Sequence, residues 1–229
     1  MECRPLFVGR QCIGERFDDG KVFVFFGNRH FDSDEFNRIF SHWSLKTAKQ
    51  VHGNRYCGPL TKASPTEEAD AQWTSTQGLA LCVYTADCVP VLIQDSLSGR
   101  IAAIHAGWRG LSKNIVCEAR VIFKETPPHA LRAWIGPHIG ENSFEIRQDA
   151  LDLLRAATGF SELLVREKGK HSDQFYFDLR QLTHNQLKAI GIPHENIWSH
   201  PIDTFASHEH YSFRRDGPTG RLLSFIVLQ

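Results

Sequence analysis

The chain has 229 residues, a length that fits one domain or at most two small ones. Its hydrophobic content of 41% and aromatic content of 11% exclude disorder as the main state, because disordered chains lack such residues. Twenty-six basic residues balance 26 acidic ones, so no overall field favours nucleic acid or an anionic membrane. We therefore expect neither partner.

Signal sequences and cysteine content indicate the cellular compartment in which a protein works. The amino-terminal residues contain no apolar run long enough for a signal-peptide core, and no stretch of about 18 apolar residues predicts a membrane helix. The six cysteines could form three disulfides on count alone. Without a secretion signal, we expect reduced thiols in a cytosolic protein, whose cysteines are first examined for metal or nucleophilic chemistry.

The predicted strands follow from short apolar runs bounded by turn residues. Residues 58–76, by contrast, are polar and turn-rich, and predict a long loop. In chain order the predicted strands are Val22–Phe26, Gly78–Tyr84, Cys88–Gln94, Arg100–His105, Ala130–Ile135, Phe175–Phe177 and Leu222–Leu228.

The helices follow from apolar residues at helical spacing. One is predicted from the Gly107–Gly110 turn to just before Pro127, another from Asp178 as N-cap to Gly191, and a third over residues 148–157. Strands and helices mix without regular βαβ alternation. This order predicts an α+β fold, with mixed sheets flanked by helices, as a single domain over residues 1–229.

Three residues stand out for their chemistry. His52 lies beside a glycine, Cys88 begins an apolar strand, and His105 ends one. Singly, each has an ordinary explanation as a turn residue, a small buried hydrophobe or a core histidine. Together, two imidazoles and a thiolate make a three-ligand zinc set with a fourth position open, or a Cys–His hydrolase pair with Asp87 or another acid as orienter.

Two arginine-bearing segments suggest an anion site. Gly107-Trp108-Arg109-Gly110 opens a predicted helix, so Arg109 either helps to bind phosphate or carboxylate or is a solvated helix-start residue. Arg214, Arg215 and Arg221 lie in a turn-rich stretch beside aromatic residues, which suits a pocket for an anionic or planar ligand as well as a charged hairpin. In an extended segment, adjacent Arg214 and Arg215 would face opposite sides.

These pieces resemble the laccase-domain or multicopper polyphenol oxidase family, now viewed as purine nucleoside phosphorylases. The resemblance runs in order from about Gln50 to the carboxyl terminus. The matching motifs are KQVHG (49–53), EADAQWT (68–74), GLALCVYTADCVPVLIQD (78–95), IAAIHAGWRG (101–110), WIGPHIG (134–140), FDL (177–179) and YSFRRDGPTGR (211–221).

The resemblance implies a cytosolic zinc enzyme that cleaves adenosine, inosine and methylthioadenosine with phosphate, with adenosine deamination in some members. It places the zinc ligands on His52, Cys88 and His105, the residues already singled out. Some relatives edit peptidoglycan precursors. The chain departs from the family pattern in residues 27–46, which replace a longer segment, and in Glu141-Asn142-Ser143 and Asp203-Thr204, where relatives often carry cysteines.

Other functions remain open on the sequence. A copper-dependent polyphenol oxidase is disfavoured, because one set of two histidines and a cysteine does not make the several copper sites that reduce oxygen to water. A Cys–His hydrolase or amidase would use Cys88 as nucleophile and His105 as base. A zinc-stabilised binding module would explain the ligands but not the arginines. The sequence leaves the oligomeric state open.

Overall fold

The computed structural model describes residues 2–167 and 173–229. None of the helices in these ranges is long and apolar enough to cross a membrane. The strands, in chain order, are β1 (Arg4–Val8), β2 (Gln11–Asp18), β3 (Val22–Gly27), β4 (Ser44–Lys46), β5 (Tyr56–Cys57), β6 (Ala71–Thr74), β7 (Leu79–Thr85), β8 (Val89–Asp95), β9 (Arg100–Ala106), β10 (Leu131–Ile135), β11 (Glu145–Arg147), β12 (Val165–Glu167), β13 (Gln174–Phe177), β14 (Ile197–Ser199) and β15 (Leu222–Leu228).

Short helices separate the strands, and the α+β prediction is confirmed. The helices are α1 (Ser33–Ile39), α2 (Trp108–Ser112), α3 (Arg120–Phe123), α4 (Gln148–Arg155), α5 (Leu179–Ala189) and α6 (Phe213–Asp216). The seven strands predicted from the sequence are present, within one or two residues at each end. That the whole chain forms a single domain stays a prediction.

Two predicted elements were wrong. The long helix predicted after Gly107 ends at Ser112, because Asn114 adopts a left-handed φ of 62° and the Ile115 amide donates back to the Gly110 carbonyl, which closes a helix end. The predicted loop over residues 58–76 contains β6, whose inward-facing side chains include Gln72 and Thr74. Each of these two polar side chains can be buried because it donates a hydrogen bond to a backbone carbonyl. With polar residues at buried positions, the sequence lacks the alternation of apolar and polar residues that predicts a strand.

Two six-stranded sheets pack face to face. The first has the order β1-β2-β3-β15-β7-β4 and the second β14-β10-β8-β9-β6-β5, while β11-β13-β12 form a smaller sheet. Alternate residues of β7 show the layering: Leu79 and Leu81 pack between the sheets with Leu92 and Ile101, whereas Cys82 faces outward. The helices α2 to α5 contribute to the apolar cluster that covers the outer face of the second sheet.

The segment over residues 27–46, where the chain departs from the family pattern, covers the first sheet. Asp32 caps α1 by accepting hydrogen bonds from the Asp34 and Glu35 amides. Phe36 is fully buried, and its ring packs edge-on against Phe225 with centroids 5.1 Å apart. This segment therefore supplies part of the core.

The connection between β7 and β8 decides where chemistry can occur. Leaving the first sheet at Thr85, the chain enters the second at Val89, and residues 86–88 bridge the two layers. The carboxyl end of β9 lies beside this bridge, because Val89 pairs with Ala106 and Pro90 with His105. Cys88 and His105, 17 positions apart in the sequence, thus meet at one end of the sandwich.

Candidate metal centre and anion cavity

A cavity of about 710 Å³ opens at this end of the sheets. His52, Cys88 and His105 line one part of it, and Trp108, Phe144 and Phe213 provide aromatic surfaces. Arginine side chains also line the cavity: Arg109, Arg214 and Arg221. The cavity thus combines metal-ligating, aromatic and cationic groups.

The structure brings the three predicted ligands together. One ligand atom from each of His52, Cys88 and His105 lies within 4.8 Å of the others, and Cys88 Sγ is 3.9 Å from His52 Nε2. A tetrahedral zinc ion with bonds of about 2.0–2.3 Å holds its ligand atoms roughly 3.5 Å apart. The donor set is one that suits zinc, and the three ligand atoms would need to move closer by only about an ångström to hold such an ion.

Local backbone geometry supports this arrangement. His52 has a left-handed φ of 59°, and the loop before it is fixed by Gln50, whose side-chain amide exchanges two 2.8 Å hydrogen bonds with the Tyr84 backbone. Gly107 follows β9, and a Cβ atom there would lie 3.1 Å from Cys88 Sγ and 3.2 Å from a His52 ring carbon. Glycine thus leaves room for the ligands to converge.

Asp70 links the two histidines. Its carboxylate accepts hydrogen bonds from the His52 and Gly53 amides at 2.8 and 2.6 Å, and lies 2.8 Å from His105 Nδ1. The Asp70 side chain is fully buried. Because the Nδ1 atom of His105 is hydrogen-bonded to this carboxylate, its Nε2 atom is the one that faces Cys88 and can bind a metal.

The electrostatics of the site favour a thiolate. Burial raises the pKa of the Cys88 thiol, but hydrogen bonds with His105 and His52 and the charge of the two rings outweigh burial and lower it to about 6. For His105, burial lowers the pKa, but the bonds to Asp70 and Cys88 raise it to about 9. For Asp70, burial raises the pKa, while His105 and the backbone amides lower it below its ordinary value.

Arg109 lies at the cavity wall on the first turn of α2. Its guanidinium stacks over the Trp108 ring, 4.4 Å from the ring centroid, and the residue is exposed. No described residue accepts a hydrogen bond from that guanidinium. Its donors therefore remain available to a ligand.

The two adjacent arginines have different surroundings. They lie in the short helix α6 and not in an extended segment. Arg214 lines the cavity, its guanidinium 5.4 Å from the Phe144 ring centroid, and donates to the Glu145 carbonyl. Arg215 is absent from the described cavity lining: it pairs with Asp216 and donates to the backbone carbonyls of Thr204, Phe205, Ser207 and His210.

Sequence reasoning did not single out Asp70 or the cavity-facing position of Arg221. Asp70 lies 35 positions from His105, so no local spacing indicated their contact. Asp70 lies in the quoted motif EADAQWT (68–74), immediately before the short strand β6, but in a segment that was predicted as a loop. Arg221 was noted with the other arginines, but nothing in the sequence separated it from Arg215.

Comparison with known proteins decides the family. The family model described as multi-copper polyphenol oxidoreductase laccase matches residues 32–229. The chain belongs to this family. The match begins within the segment that departs from the family pattern, so α1 and its aromatic core lie inside it.

Curated relatives carry a different activity in their names. The purine nucleoside phosphorylases YfiH of Shigella flexneri and Escherichia coli are each 34% identical over 196 residues, which cover 83% of this chain and 78% of the relative. Among solved structures, a Neisseria meningitidis protein superimposes with a TM-score of 0.81 at 26% identity, covering 95% of this chain and 99% of that one.

Asp70→Asn tests how the histidines are held. The neutral amide leaves a weaker partner for the His105 ring and for the amides of the His52 loop. We expect metal affinity to fall roughly tenfold to a hundredfold, measured by competition with a chromophoric chelator. Glu68→Gln is the matched control, because that carboxylate pairs with Lys49 at the surface. Equal affinity in both variants would contradict the role of Asp70.

The pH dependence of Cys88 alkylation tests the electrostatics. In the metal-free protein we expect the rate to rise with a midpoint near pH 6, because the thiolate is present above that value and is protonated below it. His105→Ala should move the midpoint towards the ordinary value of 9.0. Cys88→Ala controls for the other thiols. A wild-type midpoint near 9 would contradict the account.

Proposed function

We propose that the protein is a zinc-dependent purine nucleoside phosphorylase that cleaves adenosine, inosine and methylthioadenosine with phosphate. The observation that supports this most directly is that one cavity combines a possible three-ligand metal site with aromatic surfaces. The same cavity contains the Arg109 guanidinium, which donates no hydrogen bond to a described residue. The names of the curated relatives agree with the phosphorylase part of the proposal.

We assign the cavity residues to the phosphate or to the purine ring according to their chemistry. Arg109 and Arg214 hold the phosphate, because a guanidinium presents paired N–H donors to its oxygens. Trp108, Phe144 and Phe213 offer aromatic faces to a purine ring. We assign Arg215 a folding role, since its donors already serve backbone carbonyls.

Phosphorolysis needs the phosphate and the sugar carbon C1′ to be held together. A phosphate oxygen forms a bond to C1′ as the glycosidic bond to the purine breaks, which yields free base and ribose-1-phosphate. The arginines offset the negative charges of the phosphate and position it in the cavity. A bound zinc ion would supply Lewis-acid polarisation of a substrate atom.

One observation favours a second candidate function. Asp70, His105 and Cys88 have the order of a carboxylate–imidazole–thiol triad, as a metal-free Cys–His hydrolase requires. In that alternative the Cys88 thiolate attacks an acyl carbon, for example in a peptidoglycan precursor, while Asp70 orients His105. The amide bond to the leaving amine breaks as His105 donates a proton to the nitrogen, and water then hydrolyses the thioester. Protection of the Cys88 thiol from alkylation until a chelator is added favours zinc, whereas immediate reaction favours the hydrolase.

The proposal also covers the metal and the compartment. Zinc is preferred over copper, because residues 2–167 and 173–229 offer one three-ligand set, which cannot hold the several coppers of an oxygen-reducing oxidase. The substrates are small molecules, and the balanced charge gives no reason to invoke nucleic acid. The cytosol is the proposed location, on the sequence argument for reduced thiols.

The direct test is phosphate-dependent release of base. Purified protein is incubated with adenosine, inosine or methylthioadenosine, with and without phosphate, and the products are separated by chromatography. We expect free base and ribose-1-phosphate, or its methylthio analogue, only with phosphate. Inosine formed from adenosine would reveal the deaminase branch. If no nucleoside is turned over and serine is released from a muropeptide precursor, the proposal is wrong and the protein edits peptidoglycan precursors.

Arg109→Ala tests the anion site. We expect a higher KM for phosphate or a lower turnover, by roughly a hundredfold, equivalent to about 3 kcal/mol of lost charge stabilisation. Zinc content should not change, because the guanidinium is assigned to phosphate and not to the metal. Arg132→Ala is the matched control, since Arg132 pairs with Asp19 elsewhere on the surface. An unchanged rate at low phosphate would make Arg109 a solvated helix-start residue.

A further inference from the structure

Asp87 joins the metal centre to the arginine wall of the cavity. It immediately precedes Cys88 and lines the same cavity. Oδ2 accepts a hydrogen bond from the Arg214 backbone N–H at 2.7 Å, and Oδ1 accepts one from the Thr204 hydroxyl at 2.7 Å. The Asp87 carbonyl accepts from the Ile139 amide at 3.1 Å. One residue therefore contacts three segments that are distant in the sequence.

The bond to Arg214 is made at the start of α6, where backbone N–H groups have no partner within the helix. Ser212 satisfies one of them by accepting from the Arg215 amide. Asp87 satisfies another through a 2.7 Å hydrogen bond from the Arg214 amide. A carboxylate oxygen is a stronger acceptor for such an amide than a neutral oxygen is. The position of the Arg214 backbone is thereby fixed relative to Cys88.

The backbone at Asp87 shows why a carboxylate matters there. Its φ of 84° lies in the left-handed region, which glycine adopts at little cost and most other residues avoid. Turn geometry alone would be served by glycine. Aspartate is less favourable than glycine in this backbone conformation, but its carboxylate accepts hydrogen bonds from Arg214 and Thr204.

We propose that Asp87 is a positioning residue that sets the distance between the Cys88 ligand and the Arg214 side of the phosphate site. This inference rests on the proposed function, which assigns phosphate to Arg109 and Arg214. Asp87 acts through Arg214, whose guanidinium is further held by the Glu145 carbonyl. Substitution of Asp87 should therefore affect phosphate more than metal.

Asp87→Gly is the decisive variant, because it keeps the turn while it deletes the carboxylate. In the metal-bearing protein we expect the Kd for inorganic phosphate, measured by calorimetry, and the KM for phosphate to rise roughly tenfold to a hundredfold. Metal content should stay constant, and kcat should change little. Hydrogen exchange at the Arg214 amide should accelerate. Asp87→Asn, which keeps one acceptor, and Thr204→Val should give smaller changes in the same direction.

The Arg214→Ala background separates this inference from the proposed function. If Asp87 acts through Arg214, adding Asp87→Gly to Arg214→Ala should cause no further loss of phosphate binding. Loss of metal, or a fall in kcat at constant KM for phosphate, in Asp87→Gly would overturn the inference. So would unchanged phosphate binding in Asp87→Gly when Arg214→Ala weakens it. Unchanged binding in Arg214→Ala itself would contradict both the inference and the assignment of phosphate to Arg214.

Discussion

The Asp70 carboxylate is the constraint on which the candidate metal centre depends. Three segments supply the ligands, and β-sheet pairing by itself places only Cys88 and His105 together. His52 lies on a loop whose backbone amides bond to Asp70, the same group that orients the His105 ring. Burying a carboxylate is costly unless it is fully hydrogen-bonded, and here the amides and the imidazole satisfy it.

The two sheets give this centre a rigid base, and the loops give it a cavity. Because residues 86–88 cross from one sheet to the other, the Cys88 ligand lies where both layers end. Loops that follow β10 and precede β15 then complete the wall with aromatic and cationic side chains. Functional groups presented on loops by a packed sandwich are a common arrangement for small-molecule sites.

The sequence predicted seven of the fifteen strands in the described residues, those whose apolar runs, such as Leu222–Leu228, are buried along most of their length. It missed the other eight, most of which are short or carry polar residues. It also selected His52, Cys88 and His105, which the structure brings together. At the candidate site, two kinds of feature were not predicted. Contacts between distant residues, such as Asp70 with His105, leave no local pattern, and the different surroundings of Arg214 and Arg215 depend on which carbonyls the folded loops present.

The most direct test of the account is a crystal structure of the metal-bearing protein soaked with phosphate, with diffraction recorded on both sides of the zinc absorption edge. The account predicts an anomalous zinc peak within bonding distance of His52 Nε2, Cys88 Sγ and His105 Nε2. It also predicts a phosphate ion hydrogen-bonded to Arg109 and Arg214. A peak at another site, a copper signal in its place, or an unmetallated Cys88 carrying a covalent adduct would contradict it.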